Sequence, residues 1–140
     1  MEQERPGDVS GQQAATRDDL FSLTALPFER LTLPTGKVVT VQGMSGTDRD
    51  AFEASMMKDR RGRRNLDNVR ARLAVRCLYD APGGARLFQA SDVERLGKIR
   101  VDVLQKIFEV AQQLSGMSDE DIDQMGKGSE DEAGAGSSSS

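Results

Sequence analysis

One long amphipathic segment constrains the fold of this chain more than any other part of its sequence. Residues 99–116 read IRVDVLQKIFEVAQQLSG, and their apolar side chains recur at steps of three and four. This spacing places them on one face of an α-helix, and Gly116 is a natural C-cap. The predicted buried face consists of Val101, Leu104, Phe108 and Ala111, with Ile107 and Leu114.

A β-hairpin is predicted at residues 28–44, FERLTLPTGKVVTVQGM. The PTGK sequence at 34–37 supplies turn residues, and Val39 and Val41 alternate with polar residues in the second strand. This alternation predicts one buried face. An isolated hairpin is only marginally stable in water, so it should lie against another part of the chain.

Further helices are predicted on both sides of the long one. One begins at the N-cap Thr47, with Asp50 at the capping-box position, and ends near Lys58. The next lies in residues 65–80 and has an apolar stripe of Leu66, Val69, Leu73 and Cys77. Two short helices complete the set, with the capping boxes Ser91 and Glu94, closed by Gly97, and Ser118 and Asp121.

This order of elements predicts an α+β fold that is mostly α, with an N-terminal β-hairpin and a small bundle of about four to five helices. Residues 1–19 are polar and are expected to form a disordered N-terminal arm. Residues 126–140, GKGSEDEAGAGSSSS, are expected to form a disordered acidic Gly/Ser tail. The folded domain is therefore predicted to span residues 20–125.

The residue types that common catalytic and metal sites need are scarce. The chain has no histidine and one cysteine, Cys77. A histidine-dependent triad is impossible, and a metal site is not expected. The turn at 82–84 lacks the Lys-Ser/Thr of a phosphate loop. We expect no enzyme activity and no cofactor. The alternative is catalysis by carboxylates alone, and no arrangement of Asp and Glu residues in the sequence identifies such a site.

The charge distribution is uneven. Residues 58–76 contain eight cationic and two acidic side chains, a local net charge of +6, whereas residues 116–140 have a net charge of −6. The densest part is KDRRGRRN at 58–65, with Lys58 and the arginines Arg60, Arg61, Arg63 and Arg64.

Three interpretations of this basic cluster remain open. It forms a solvated bend between two helices, it binds an acidic protein partner, or it binds the phosphates of DNA or RNA. No aromatic residue interleaves the arginines, as stacking on single strands would need. The net charge of the whole chain, −4, also opposes nonspecific binding to nucleic acid. We rank the bend first, the protein partner second and nucleic acid third.

The apolar stripe of the long helix also has two interpretations. Core packing is the first. The second is a residual groove that binds a helix of another chain. On that interpretation the predicted partner-binding residues are Val101, Leu104, Phe108, Ala111 and Leu114, with a charged rim of Arg60, Arg61, Arg63 and Arg64.

Four segments in order resemble the tail assembly chaperones of long-tailed bacteriophages with noncontractile tails. They are KVVTVQGMSGTDRDAFEASMM, RRNLDNVRARLAVRCLYD, ARLFQASDVERLGKI and LQKIFEVAQQLSGMSDEDI. The resemblance covers residues 28–125. It implies a non-enzymatic protein of the host bacterial cytoplasm that binds the tape measure protein and keeps it soluble. Such a protein promotes assembly of tail tube subunits around the tape measure protein, self-associates and is absent from the finished virion.

The absence of an apolar run of about 18 residues agrees with a cytoplasmic location, as does a start, MEQERPGDVSG, without an apolar signal region.

The resemblance further implies a longer product made by a −1 ribosomal frameshift. Met125 has a single codon ending in G, and the codons of Gly126 and Lys127 permit the slippery sequence G-GGA-AAG or G-GGA-AAA. A shift there would replace residues 128–140 with a partner-binding extension. The longer form would then be a further partner of the short one.

Overall fold

A β-hairpin packed against a long helix organises the computed structural model, which describes residues 12–57 and 66–125. Its elements in chain order are α1 (Arg17–Phe21), β1 (Phe28–Thr32), β2 (Val38–Gln42), α2 (Gly46–Ser55), α3 (Val69–Cys77), β3 (Leu78–Tyr79), α4 (Val93–Leu96), α5 (Val101–Leu114) and α6 (Asp119–Gln124). A 3-10 turn, Ala90–Asp92, leads into α4. The predicted fold class, a mostly α α+β domain with an N-terminal hairpin, is confirmed.

The predicted hairpin forms with the predicted turn. β1 and β2 pair antiparallel, from Phe28 opposite Gln42 to Thr32 opposite Val38. The amide of Leu33 donates to the carbonyl of Lys37 at 2.8 Å, and that of Gly36 donates to Leu33 at 2.8 Å. Gly36 has a φ of 87°, which a residue without a Cβ adopts without strain.

The short strand β3 was not predicted, and it changes the hairpin. The predicted helix over 65–80 ends at Cys77, and the next two residues pair with β2 instead. β2 is therefore the central strand, and its polar residues Thr40 and Gln42 are buried along with Val41. The prediction of one buried face is wrong at this end of the strand. The buried Gln42 side-chain oxygen has a partner there, because Oε1 accepts a hydrogen bond from the Gly83 amide at 2.6 Å.

The hydrophobic core lies between the sheet and the helices. Its largest fully buried side chains come from β2, the end of α2, and α3: Val41, Phe52, Met56, Leu73 and Cys77. The α5 helix packs on both α3 and β2 and adds Leu104, Ile107, Phe108, Val110 and Ala111. Burial raises the pKa of the Cys77 thiol to about 12, so this cysteine is a packing residue without a reactive thiolate at neutral pH.

Two predicted helix starts are corrected. The N-cap of α2 is Ser45 and not Thr47, because the Ser45 hydroxyl accepts a hydrogen bond from the Asp48 amide at 3.2 Å. Before α4, the Asp92 carboxylate accepts from the Gln89 amide at 2.8 Å, and Ser91 lies inside the 3-10 turn. In both cases the predicted capping pair lies two residues further along the chain than the pair that forms.

The last two helix boundaries agree with the sequence. After α5, the amide of Met117 donates to the Gln112 carbonyl at 2.9 Å, and Gly116 has a φ of 68°. This is a Schellman motif. The cap of α6 is Ser118, whose hydroxyl accepts from the Asp121 amide at 3.0 Å. Met125, directly after α6, is 3% exposed.

The chain termini lie largely outside the described residues. The helix α1 crosses the boundary predicted at residue 19, and its N-cap Thr16 forms a capping box with Asp19. The predicted arm before residue 12 and the predicted tail at 126–140 lie outside the described residues, so this division of the chain stays a prediction. In 12–57 and 66–125 no helix is long and apolar enough to cross a membrane.

Candidate partner-binding surfaces

An apolar depression runs between the hairpin turn and the first half of α5. One part, of about 270 Å³, is lined by Leu31, Thr32, Leu33, Pro34, Asp102, Val103 and Lys106. A second, of about 220 Å³, shares Leu33, Pro34 and Val103 and adds Ile99 and Arg100. A third, of about 220 Å³, shares Ile99 and is also lined by Leu66, Val69, Arg70, Val101 and Leu104. The first two parts share Leu33, Pro34 and Val103, and the third meets them only at Ile99. We name the three together the α5 trough, in which Val103 and Val101 line different sides of α5.

Local sequence explains why this surface stays open. The α4 helix is only four residues long, and residues 98–100 lead directly into α5. The segment before α5 and the first residue of α5 therefore carry exposed apolar side chains, with Ile99 38% and Val101 70% exposed. An apolar surface of this kind, rimmed by charged residues, is typical of a protein-interaction site.

Charged groups line the rim of the trough. Arg100 bonds the Asp102 carboxylate, with Nη2 to Oδ2 at 2.6 Å. This contact with Arg100 is the largest cause of a lowered pKa for the Asp102 carboxyl. The Arg70 guanidinium bonds Gln105 and lies 5.8 Å from the centre of the Phe108 ring. Lys106 makes no ion pair within the described residues. The rim is therefore cationic on balance.

The structure separates the five apolar residues predicted to bind a partner. Val101 lies on the wall of the trough, and Leu104, which is 6% exposed, lies beneath it. Phe108 and Ala111 are in the core, and Leu114 is half-buried near the C-terminus of α5. A partner role for these residues stays a prediction. The four predicted rim residues Arg60, Arg61, Arg63 and Arg64 lie outside the described residues.

Sequence reasoning missed Leu33, Pro34, Ile99 and Val103. Leu33 and Pro34 were assigned only to the hairpin and its turn. Ile99 lies just before α5 and Val103 lies in its first turn, and both are apolar residues outside the stripe predicted to be buried. Their apolar character was a usable signal. The contact between the hairpin turn and α5 was not readable from sequence, since it depends on tertiary packing.

A second depression is lined by residues that precede and follow the basic cluster in the sequence. It has a volume of about 360 Å³ and is lined by Ser55, Asp67, Asn68, Arg72, Val75, Arg76, Ala90 and Val93. The Arg72 guanidinium donates to the Ser55 carbonyl at 3.0 Å and to the Asp67 carbonyl from Nε at 2.8 Å. Burial is the main cause of a lowered Arg72 pKa. One side chain thus connects the described residues on both sides of 58–65.

The described arginines of this region bind groups of the domain itself. Arg76 and Arg86 share the Asp48 carboxylate, with nitrogen-to-oxygen distances of 3.4 and 2.6 Å. Arg86 also donates to the Tyr79 hydroxyl at 3.3 Å. The bond to Asp48 is the main cause of a raised Arg86 pKa. Arg70, Arg72 and Arg76 therefore have internal partners, which weighs against their use as phosphate ligands.

Within the described ranges, no group of three or more Asp, Glu or Cys side chains is placed to hold a metal ion.

The fold agrees with a solved structure. The tail assembly chaperone of bacteriophage HK97 is 18% identical to this chain and superposes with a TM-score of 0.50, over 64% of this chain and 85% of that chain. The chain has the fold of a phage tail assembly chaperone. The resemblance predicted from the sequence is thus confirmed at the level of the tail assembly chaperone fold. No protein-family model and no curated protein matches the sequence.

Proposed function

We propose that this protein is a phage tail assembly chaperone that binds the tape measure protein in the host bacterial cytoplasm. It keeps that protein soluble while tail tube subunits assemble around it, and it leaves before the virion is finished. The role is binding and not catalysis. The observation that carries the proposal is an open apolar trough on a domain with the tail assembly chaperone fold.

The trough suits an amphipathic helix. Helix-in-groove recognition uses apolar anchors one turn apart that enter an apolar depression. Ile99, Pro34 and Val103 supply such a surface beside the hairpin turn, and the exposed Val101 lines the adjoining part of the trough beyond Ile99. A tape measure protein is expected to display long apolar helical stripes before the tube encloses it. A shallow trough would cover these stripes reversibly, since only part of each stripe is buried at one time.

The binding test uses the full chain and fragments of the cognate tape measure protein. Val101→Asp places a charge in the trough and should raise the Kd by about tenfold or more, because an unpaired carboxylate resists burial. The fold should survive, since Val101 is 70% exposed. Gln113→Asp is the matched control, because Gln113 is exposed on the same helix outside the trough. Equal binding by the two variants would exclude the trough as the binding site.

The longer frameshifted product is part of this proposal. Gly126 and Lys127 lie outside the described residues, and they follow Met125, which is buried at the end of α6. This position favours the proposal, since replacement of residues 128–140 leaves the described core in place. The coding DNA tests it directly. A G-GGA-AAG or G-GGA-AAA sequence that opens a long −1 frame is expected, and an immediate stop in that frame would exclude the longer product.

A further inference from the structure

The outer side of β1 is a free edge of the sheet. The strands lie in the order β1-β2-β3, so β1 pairs on one side only. The backbone bonds at its two ends show that Pro27 and Leu33 both face β2. Because the direction of hydrogen bonding alternates along an antiparallel strand, the residues between them that direct their amides and carbonyls outward are Phe28, Arg30 and Thr32.

These outward backbone groups have no hydrogen-bond partner among the residues that the structure describes. The side chains of Phe28, Arg30 and Thr32 are exposed as well. Native sheets usually protect a free edge with a bulge or a covering segment, whereas β1 pairs regularly with β2 over all five of its residues. A row of unpaired donors and acceptors defines its own ligand, since an extended strand is the structure that satisfies them together.

An apolar depression lies beside this edge, on the face of the sheet that packs on α5. Leu31 lies on that face, opposite Val39 of β2. It lines the depression of about 270 Å³ together with Val103 and Lys106. Directly opposite residues of neighbouring strands share a face. A strand added to β1 therefore places the side chain opposite Leu31 in this depression, which favours a large apolar residue there.

The other face of the edge favours an acidic residue. The Arg30 guanidinium lies 5.6 Å from the centre of the Phe28 ring and forms no ion pair with a residue of the described ranges. A carboxylate opposite Arg30 supplies a favourable cross-strand pair. A second copy of β1 is a poor occupant, because a two-fold antiparallel pairing centred on Arg30 places two arginines opposite each other.

We propose that β1 accepts an extended segment of a partner protein as a fourth, antiparallel strand of the sheet. The segment carries an acidic residue opposite Arg30 and a large apolar residue opposite Leu31. Its backbone pairs with the outward groups of Phe28, Arg30 and Thr32. This inference goes beyond the proposed function, because the ligand is recognised through its backbone and not as an apolar helix.

A peptide titration of the full-length protein tests the added strand. The probe is Thr-Leu-Glu-Lys-Val, acetylated and amidated, which in the antiparallel register places Leu opposite Leu31 and Glu opposite Arg30. Amide NMR signals should shift saturably, and hydrogen exchange should slow at Phe28, Arg30 and Thr32. An N-methyl group on the Glu of the peptide removes the donor to the Arg30 carbonyl and should raise the Kd by about tenfold or more.

The same peptide supplies its own matched control. The amide of its Lys points away from β1, so an N-methyl group there should leave the Kd unchanged. Equal binding of the two N-methylated peptides would overturn the proposal, because a contact made only by side chains does not distinguish them. No saturable binding of the unmodified peptide to the wild type would overturn it too.

Variants of the protein separate the backbone from the charge. Arg30→Pro removes the outward amide at a position where an edge strand tolerates proline, and it should raise the Kd by about tenfold or more. Arg30→Gln retains the amide and should raise the Kd only about threefold. If Arg30→Pro lowers the stability of the fold, the N-methylated peptides still decide the question.

The helix-binding proposal has separate outcomes. Val101→Asp should bind the peptide as the wild type does, because Val101 and Val103 line different sides of α5. Loss of peptide binding in Val101→Asp would contradict the placement of the strand at β1. The titration contains no tape measure protein, so a negative result here leaves the proposed function standing.

Discussion

The guanidinium of Arg72 in α3 hydrogen-bonds both the backbone carbonyl and the hydroxyl of Ser55 in α2, at 3.0 and 3.1 Å. The same side chain reaches the Asp67 carbonyl. Ser55 and Asp67 precede and follow the basic cluster at 58–65. Arg72 therefore connects the described residues that precede and follow that cluster in the sequence.

Loss of this side chain should lower the free energy of unfolding. We expect Arg72→Ala to cost about 1–3 kcal/mol, because two backbone carbonyls lose a charged donor. Arg72→Lys should recover only part of the loss, since an ammonium group cannot form the same fork of bonds. Urea denaturation measures both. Arg100→Ala is the control, because the exposed Arg100–Asp102 pair should contribute at most about 1 kcal/mol. Equal losses at both arginines would contradict this prediction.

Phe108→Asp should unfold the domain. Phe108 is 8% exposed within the core formed with α3, so the substitution buries a carboxylate without a partner. We expect a loss of more than about 4 kcal/mol and no cooperative thermal transition by circular dichroism. Val101→Asp, on the same helix but exposed, should melt close to the wild type. An unchanged melt for Phe108→Asp would place that ring outside the core.

Two glycines near the start of α2 should respond in opposite ways to alanine. A Cβ on Gly43 would lie 2.5 Å from the carbonyl oxygen of Leu114, at the end of α5. Gly43→Ala should therefore destabilise the domain by about 1–3 kcal/mol through overpacking. A Cβ on Gly46, the first residue of α2, meets nothing within 4 Å. Gly46→Ala should leave the urea midpoint unchanged or raise it, and a lower midpoint there would refute the steric explanation.

Stability should fall at alkaline pH through Cys77. Burial raises its pKa from 9.0 to about 12, so the unfolded chain releases this proton before the folded one does. Between these two values the unfolded state binds fewer protons, and the free energy of unfolding decreases as pH rises. Cys77→Ala should remove this component of the pH dependence, although the smaller side chain lowers stability at every pH. At pH 8 a thiol reagent should label Cys77 in urea and leave it unlabelled in the native state.

Elements with a local periodic signal were predictable, and elements that depend on pairing were not. The α5 stripe and the hairpin turn lie within short windows of sequence, where spacing alone identifies the structure. The two-residue strand β3 exists because Leu78 and Tyr79 meet β2, a contact between residues far apart in the chain. The same pairing buries Thr40 and Gln42, which alternation alone placed toward solvent.

The trough was predictable only in part for a similar reason. Val101 and Leu104 belong to a single helix, and their spacing was readable. Pro34 becomes a residue of the trough only because the turn lies against Val103, about seventy positions away in the sequence. The sequence therefore predicts that a helical stripe is apolar. It does not predict whether the stripe is exposed, because that depends on how the other helices and strands pack against it.

One wall of the trough, at Leu33 and Pro34, belongs to a β-turn, and the opposite wall belongs to a helix that also builds the core. Turns accept substitutions and insertions that helices in a core do not. The two walls can therefore diverge at different rates, with the helical wall held by folding and the turn free to vary. Substitutions at three or four turn residues could therefore reshape the trough while the folding stability of the domain stays constant.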